Sequence, residues 1–263
     1  MKQLNNHESR TCVRTMVRMV TPAGSDGFIS LYLDLPEWDY TPGQFVMIRP
    51  ENWDNDPVWP RPFSICEVNR NGLRLFIQVV GRGTRLISRL TPGSRVDLWG
   101  PLGNGFKFDP DDRLLILAGG MGIAPFIGLC KNHPHPEKVS LLFGHRVGIE
   151  CYPLDELPQG MDKQYARQEG QSDLVLFQEM LEKRIQEFSG LGRILACGPT
   201  PLLRVVSSLS LKYKAETYVS LENKMACGVG ACLGCVARTS DQGYVQTCTH
   251  GPVFRADRIV WEV

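Results

Sequence analysis

The sequence predicts a β + α/β protein: an antiparallel β-barrel, a doubly wound parallel α/β domain, and a small C-terminal module. Three observations predict it. Short alternating apolar stretches, cut by Gly and Pro turns, fill residues 1–108. From about residue 109 apolar runs alternate with stretches of helical period. Residues 216–263 carry four crowded cysteines among glycines. A chain of 263 residues suits about two domains and such a module.

Taken in order, FISLYLDL (28–35) puts Ile29, Leu31, Leu33 and Leu35 on one face of a strand. FVMIRP, LRLFIQVV and RVDLWG read as further strands, separated by the turn signals TPG (41–43), NG (71–72), TPG (91–93) and GNG (103–105). That punctuation predicts an antiparallel barrel or sandwich. RLLILAGG then reads as a buried strand, and MGIAPFIGLCKN as a loop entering a helix. Pro125 sits near the helix start, where its missing N–H costs nothing. Strand VSLLFG, helix DLVLFQEMLEKRIQEF, strand RILACG, helix PLLRVVSSL and strand AETYVSLE follow. In the long helix Leu174, Phe177, Leu181, Ile185 and Phe188 form one stripe, expected to be core rather than a cofactor contact. Between VSLLFG and that helix, PQGMDKQYARQEGQS shows no strand pattern. Strands alternating with helices predict a parallel, doubly wound sheet.

Composition narrows the function. A net charge of +1 leaves no basic footprint for nucleic acid or an anionic membrane. The longest apolar runs, LLILA (114–118) and VSLLFG (139–144), are too short to cross a bilayer. The N-terminal MKQLNNHESRTCVR lacks the apolar stretch of a secretory signal. The expectation is a soluble, cytoplasmic protein. In that reducing compartment clustered thiols point to metal or redox chemistry rather than disulfides. Cys12, Cys66, Cys130 and Cys151 read as packing thiols, and His133 and His135 in KNHPHPEK as a solvated loop.

The crowded cysteines follow the pattern Cys-x4-Cys-x2-Cys-x12-Cys, at Cys227, Cys232, Cys235 and Cys248. Four thiolates hold either one zinc ion or a [2Fe–2S] cluster. The cluster is bulkier and needs a closely wrapped loop, which Gly228, Gly230, Ala231 and Gly234 allow. A zinc clip would instead make the chain a nucleotide-binding regulator without redox turnover. Upstream, WPRPFSIC (59–66) offers Arg61 to a phosphate, Phe63 to an aromatic ring and a hydroxyl on Ser64. VGRGT (80–84) offers bare N–H groups around Gly81, Gly83 and Thr84, a cradle for a diphosphate. LAGGMGIAP (117–125) ends a strand and opens a helix, as a dinucleotide site requires. ACGP (196–199) closes a later strand, where ligands of parallel sheets bind.

The two barrel motifs, ahead of a nucleotide-type domain, resemble those of the ferredoxin–NADP reductase superfamily. That resemblance implies FAD on Arg61, Pro62, Phe63, Ser64, Gly81, Gly83 and Thr84, with Arg61 on the pyrophosphate and Ser64 near flavin N5. It implies a nicotinamide dinucleotide on Gly119, Gly120, Gly122, Ala124, Pro125, Cys197, Gly198 and Pro199, with Ser64 and Cys197 lining the hydride-transfer site. GPLGNGF (100–106), SLENKMACGVGACLGC (220–235) and CTHGPVF (248–254) closely resemble the electron-transfer subunit of NAD-linked, two-subunit dihydroorotate dehydrogenase. Small subunits of electron-bifurcating transhydrogenases place Asp where this chain has Cys227, and monooxygenase reductases have a longer final gap. The resemblance implies a [2Fe–2S] cluster on the four cysteines. It also implies an FMN-containing dihydroorotate-oxidising partner, a heterotetramer of two plus two subunits, and electron flow through cluster and FAD to NAD⁺ in pyrimidine biosynthesis. A reductase subunit of hydrogenase, sulfur reductase or transhydrogenase type would keep the cofactors and change the partner. Before the long helix the family commonly has a further strand with an acidic, Gly-rich turn. This chain has PQGMDKQYARQEGQS there, so NAD against NADP stays open.

Overall fold

Seven strands build the first sheet: β1 (Thr11–Ala23), β2 (Phe28–Leu33), β3 (Phe45–Pro50), β4 (Arg61–Ser64), β5 (Glu67–Asn69), β6 (Gly72–Gln78) and β7 (Arg95–Leu102). The computed structural model describes residues 11–24, 27–35, 38–53, 56–241 and 243–261. The first ten residues of MKQLNNHESRTCVR, from which the absence of a secretory signal is expected, lie outside the described residues. The strands pair antiparallel in the order β4-β3-β7-β1-β2-β6-β5. Between β4 and β5 the Ile65 N–H bonds the Gln44 carbonyl and the Cys66 N–H bonds the Arg74 carbonyl. These bonds tie the two ends of the sheet together into a barrel. Leu31, Leu33, Val46, Ile48, Leu73, Leu75, Val96 and Leu98 fill its interior, all with no exposed surface. A short helix, α1 (Arg82–Ile87), follows β6.

The second sheet is doubly wound, in the order β10-β9-β8-β11-β12-β15. Its strands are β8 (Leu114–Gly119), β9 (Val139–His145), β10 (Asp162–Arg167), β11 (Arg193–Cys197), β12 (Thr217–Ser220) and β15 (Val253–Arg255). The first five run parallel and β15 returns antiparallel to β12. Helices α2 (Ala124–Asn132), α3 (Gln171–Phe188) and α4 (Thr200–Tyr213) connect them. The expectation of no strand in PQGMDKQYARQEGQS is corrected: Asp162–Arg167 pairs residue for residue with Ser140–His145. It is an edge strand without a buried face, so no alternating apolar pattern announces it. The α3 stripe is buried at Phe177, Leu181, Ile185 and Phe188.

The chain between β12 and β15 forms the cysteine module, with the hairpin β13 (Val236–Thr239) and β14 (Gly243–Gln246) and one turn of helix, α5 (Thr247–His250). Its buried cysteines Cys235 and Cys248 pack against Phe45, Met47 and Leu102 of the barrel. Asn104 fastens the same face, donating from Nδ2 to the His250 carbonyl and from its backbone N–H to the Gly251 carbonyl. Barrel and α/β sheet also share one apolar core, where Phe28 and Phe76 meet Tyr152. Cys66, Cys130 and Cys151 are packing thiols as expected, whereas Cys12 is exposed. His133 departs from the solvated reading: it is buried and stacks on Phe108, with Nδ1 turned to the backbone of His135. No helix among the described residues is long and apolar enough to cross a membrane.

Candidate functional site

The site begins with β4, which holds Arg61, Pro62, Phe63 and Ser64 in a strand paired to β3. All four side chains are half-buried. The Arg61 guanidinium donates to the Trp59 carbonyl at 2.8 Å and lies 5.6 Å from the centre of the Trp53 ring. On its other side it reaches α1, where Arg61 Nε stands 2.8 Å from the place a Cβ on Gly83 would occupy. The sequence reads VGRGT as a bare loop; in the structure its last three residues already belong to α1. Thr84 closes that turn, its hydroxyl oxygen accepting the N–H groups of Val80 and Gly81 at 3.0 Å each. A fixed cation thus faces the unpaired N–H groups of a first helical turn, a donor set matched to a diphosphate.

The second group lies at the carboxyl ends of β8 and β11. Gly122 is packed so closely that a Cβ there would sit 2.1 Å from the Cys197 carbonyl oxygen. A Cβ on Gly119 would come within 3.1 Å of Pro199 Cδ. These contacts press the LAGGMG loop against Cys197, Gly198 and Pro199, with Ala124 and Pro125 opening α2 directly behind. Burial, joined by the nearby Glu222 carboxylate, pushes the Cys197 thiol up to about 12. At neutral pH it is an uncharged wall of the site. The surrounding walls also raise the Glu222 pKa by desolvation, although its side chain opens onto the cleft.

The two groups meet in a cleft of about 340 Å³. The barrel lines it with Phe63, Ser64 and Thr84, the α/β sheet with Met121, Ala124 and Cys197, and the cysteine module with Asn223 and Met225. A second, larger cavity of about 810 Å³ opens from it along the sheet. Gln78, Met121 and Glu222 line both. Gly119, Gly120 and Pro199 form one wall of the larger cavity, and α3 forms the other. Here the stripe expected to be core alone is corrected, because Leu174, Phe177 and Leu181 also face the cavity. The apolar stripe of α3 does not itself tell core from cavity wall, because both take the same side chains. Sequence reasoning likewise missed Glu222, Met121 and Gln78 as lining residues. Only the position of Glu222, two residues past the last parallel strand, hinted at a role.

In the module the cysteines fall into two pairs. Cys227 and Cys232 bring their sulfurs to 3.4 Å of each other, and the N–H groups of Val229 and Cys232 point at Cys227 Sγ. Burial acts against ionisation, yet these N–H groups bring the Cys227 thiol down to about 7. Cys235 and Cys248 form the inner pair. Burial and their mutual contact push Cys248 up to about 12, opposed by the Gly230 N–H. Gly228 and Gly230 adopt φ of +71° and +85°, conformations open to glycine, so the loop turns its N–H groups inward. Two thiol pairs ringed by N–H donors suit two metal atoms bridged by acceptor sulfides. The Trp99 indole N–H reaches the Cys227 carbonyl at 3.4 Å and fixes the loop to the barrel. The outward rim is apolar and exposed at Val229, Leu233 and Tyr244.

Comparison with known proteins bears on all three parts. The iron-sulfur cluster binding domain of dihydroorotate dehydrogenase B matches residues 222–260. The electron transfer subunit of dihydroorotate dehydrogenase B (NAD(+)) of Clostridium perfringens is 33% identical over 87% of this chain and 90% of its own length. The chain belongs to this electron transfer subunit family. The corresponding subunit of Desulforamulus reducens is 34% identical over 84% of the chain and 87% of its own length. Among solved structures, an NADH-dependent reduced ferredoxin–NADP oxidoreductase superposes with a TM-score of 0.77 at 23% identity, over 94% of this chain and 90% of the other. A ferredoxin NADP⁺ reductase from Neisseria gonorrhoeae, solved with FAD and NADP, superposes with a TM-score of 0.61 at 18% identity, over 78% of this chain and 92% of the other. These likenesses bear out the expected fold class: a reductase-type barrel and α/β sheet with an iron–sulfur module attached.

Proposed function

We propose that this chain is the electron-transfer half of an NAD-linked dihydroorotate dehydrogenase, an oxidoreductase subunit that works with an FMN-containing, dihydroorotate-oxidising partner. One observation carries the reading: a single cleft is lined jointly by the barrel, the nucleotide sheet and the cysteine module. Electrons entering at the module therefore have one shared chamber to cross before the dinucleotide cavity. We divide the chain into an FAD-binding part (1–108), an NAD-binding part (109–215) and a [2Fe–2S] module (216–263). β12 and β15 carry the module as strands of the nucleotide sheet.

Each residue has a task in this scheme. Arg61 and the first turn of α1 hold the FAD diphosphate, while Phe63 and Ser64 line its ring side. Cys197, kept neutral by burial, and the close-packed Gly119–Gly122 loop bound the place where nicotinamide meets flavin. Cys227, Cys232, Cys235 and Cys248 ligate the cluster, with Gly230 and Val229 N–H groups supporting the sulfurs. The bound flavin supplies the exchange between single electrons and a hydride, which neither cluster nor nicotinamide performs alone. Met225 lines the cleft from the module side and packs beside Cys235 and Cys248, which puts an apolar side chain between the proposed cluster and flavin sites. The apolar rim at Val229, Leu233 and Tyr244 is the docking face for the partner, in a two-plus-two assembly residing in the cytoplasm.

Visible absorption of the anaerobically purified protein, before and after NADH, tests this function. Flavin bands over a broad iron–sulfur absorbance, both bleached by NADH, are expected, with two irons per chain. A colourless protein holding zinc after reconstitution with FAD, iron and sulfide would overturn the reading.

A further inference from the structure

Between β12 and the first cysteine of the module, residues 221–225 form a wall with two sides. Leu221, Glu222, Asn223 and Met225 line the flavin cleft, and Met225 also packs beside Cys235 and Cys248. The Leu221 N–H bonds the Pro252 carbonyl at 2.9 Å, so the wall is fixed where the module leaves and rejoins the sheet.

The polar link across this wall is Asn223. Its Nδ2 donates to the Thr247 hydroxyl oxygen at 2.8 Å and to the Val236 carbonyl at 3.0 Å, and lies 3.4 Å from the Cys235 carbonyl. Two of these partners are carbonyl oxygens, which only accept, so the amide nitrogen must face them. Thr247 has no exposed surface, and its own N–H bonds the Cys235 carbonyl at 2.7 Å. The residue after it is Cys248. One amide thus gathers the backbone beside Cys235 and the residue before Cys248, the two thiols buried against the barrel. The outer pair is held differently. N–H groups of its own loop point at Cys227 Sγ, and Trp99 bonds the Cys227 carbonyl. Side chains that hold metal ligands in place by such bonds tune affinity and potential without touching the metal.

We infer that Asn223 is a positioning residue for electron transfer, setting the inner thiol pair, Cys235 and Cys248, at the wall of the flavin cleft. This rests on the cluster and flavin reading proposed above and names the side chain that joins the two sites. Asn223 acts through Thr247 and the backbone of Cys235 and Val236, so a residue of the same size without donors cannot replace it.

Iron content, electron paramagnetic resonance of the dithionite-reduced protein and a dye-mediated redox titration, all on the full reconstituted chain, test it. Asn223→Leu keeps the volume and removes the donors. It is expected to retain two irons per chain, to shift the g values of the reduced cluster and to lower its midpoint potential. The fall should be about threefold in the one-electron equilibrium, roughly 28 mV, because fewer donors around the ligands disfavour the added negative charge. A side chain with only a packing role would change thermal stability and leave both readings at the parent's values. Thr247→Val removes only the hydroxyl that the amide bonds and should move the potential the same way by less. Both changes break one contact, so the double variant should match Asn223→Leu alone. Parent g values and potential in Asn223→Leu overturn the inference, as do shifts of the two variants that simply add. If Asn223→Leu assembles no cluster, a parent potential in Thr247→Val overturns it instead. A parent chain that takes up flavin but no iron overturns the functional reading and this inference together, whereas a parent with both cofactors and silent variants overturns this inference alone.

Discussion

Leu233 sits between two of the proposed ligands with φ of +55°, a left-handed conformation that costs a bulky residue about 1–2 kcal/mol. Its side chain is 60% exposed, so no packing within this chain offsets that cost. The conformation instead holds an apolar group outward at the module rim. Leu233→Gly is expected to raise stability by about 1 kcal/mol in thermal unfolding while weakening association with the catalytic partner. An unchanged association in a titration of the two subunits would assign the strain to the loop alone. At this scale the sequence was most legible where chemistry demands particular side chains. The four cysteines and Arg61 announce themselves by type and spacing. Glu222 and Asn223 do not, because a carboxylate or an amide gains meaning only from what it faces. The burial of His133 was equally hidden, since Pro-punctuated histidines look solvated until Phe108 is placed beside them.

Among the elements, the LAGGMG loop shows how tightly β8 and β11 are pressed together at the switch point of the sheet. Gly122→Ala would drive a Cβ into the Cys197 backbone, which cannot move aside without breaking β11 pairing. A loss of about 3 kcal/mol or more is expected, read as a fall in the urea midpoint. Gly81→Ala, with nothing within 4 Å of its Cβ and an extended backbone, loses a favoured N-cap residue but stiffens the unfolded chain, and should stay within about 0.5 kcal/mol of the parent. The α3 stripe was readable from its helical period and β2 from its alternation of large apolar with other residues, while β8, buried on both faces, was readable as an unbroken apolar run. β10 was not, because an edge strand with its side chains half in water carries no alternation. β1 carries one, Val13, Thr15 and Val17 alternating with Arg14, Met16 and Arg18. It was obscured by the polar stretch that precedes it and by the register shift between Val17 and Met19.

Across the whole molecule, four charges fix the barrel to the nucleotide sheet. Arg74 of β6 donates to both Glu156 oxygens at 2.8 Å, Lys131 of α2 bonds Glu67 of β5 at 2.8 Å, and Lys131 also reaches Glu156 at 3.0 Å. Arg74 and Glu67 are almost fully buried. Arg74→Met leaves buried carboxylates short of a partner and should cost about 3 kcal/mol. Burial works to raise the Glu156 pKa, but the bonds from Arg74 and Lys131 win and hold it below the usual carboxylate value. Its contribution is therefore complete above the ordinary carboxylate pKa and is lost as pH falls through the lowered, folded value. Urea midpoints should drop in acid for the parent chain and less steeply for Arg74→Met. The module completes the same body from another side. It leaves the sheet after Ser220 and returns at Val253, and those two residues are paired neighbours. Its two feet thus stand side by side, as the stem of a single hairpin does. For engineering, the module is a cassette. A short turn joining β12 directly to β15 would leave both sheets intact, giving a plain two-domain flavin reductase that accepts a hydride and has lost its one-electron outlet.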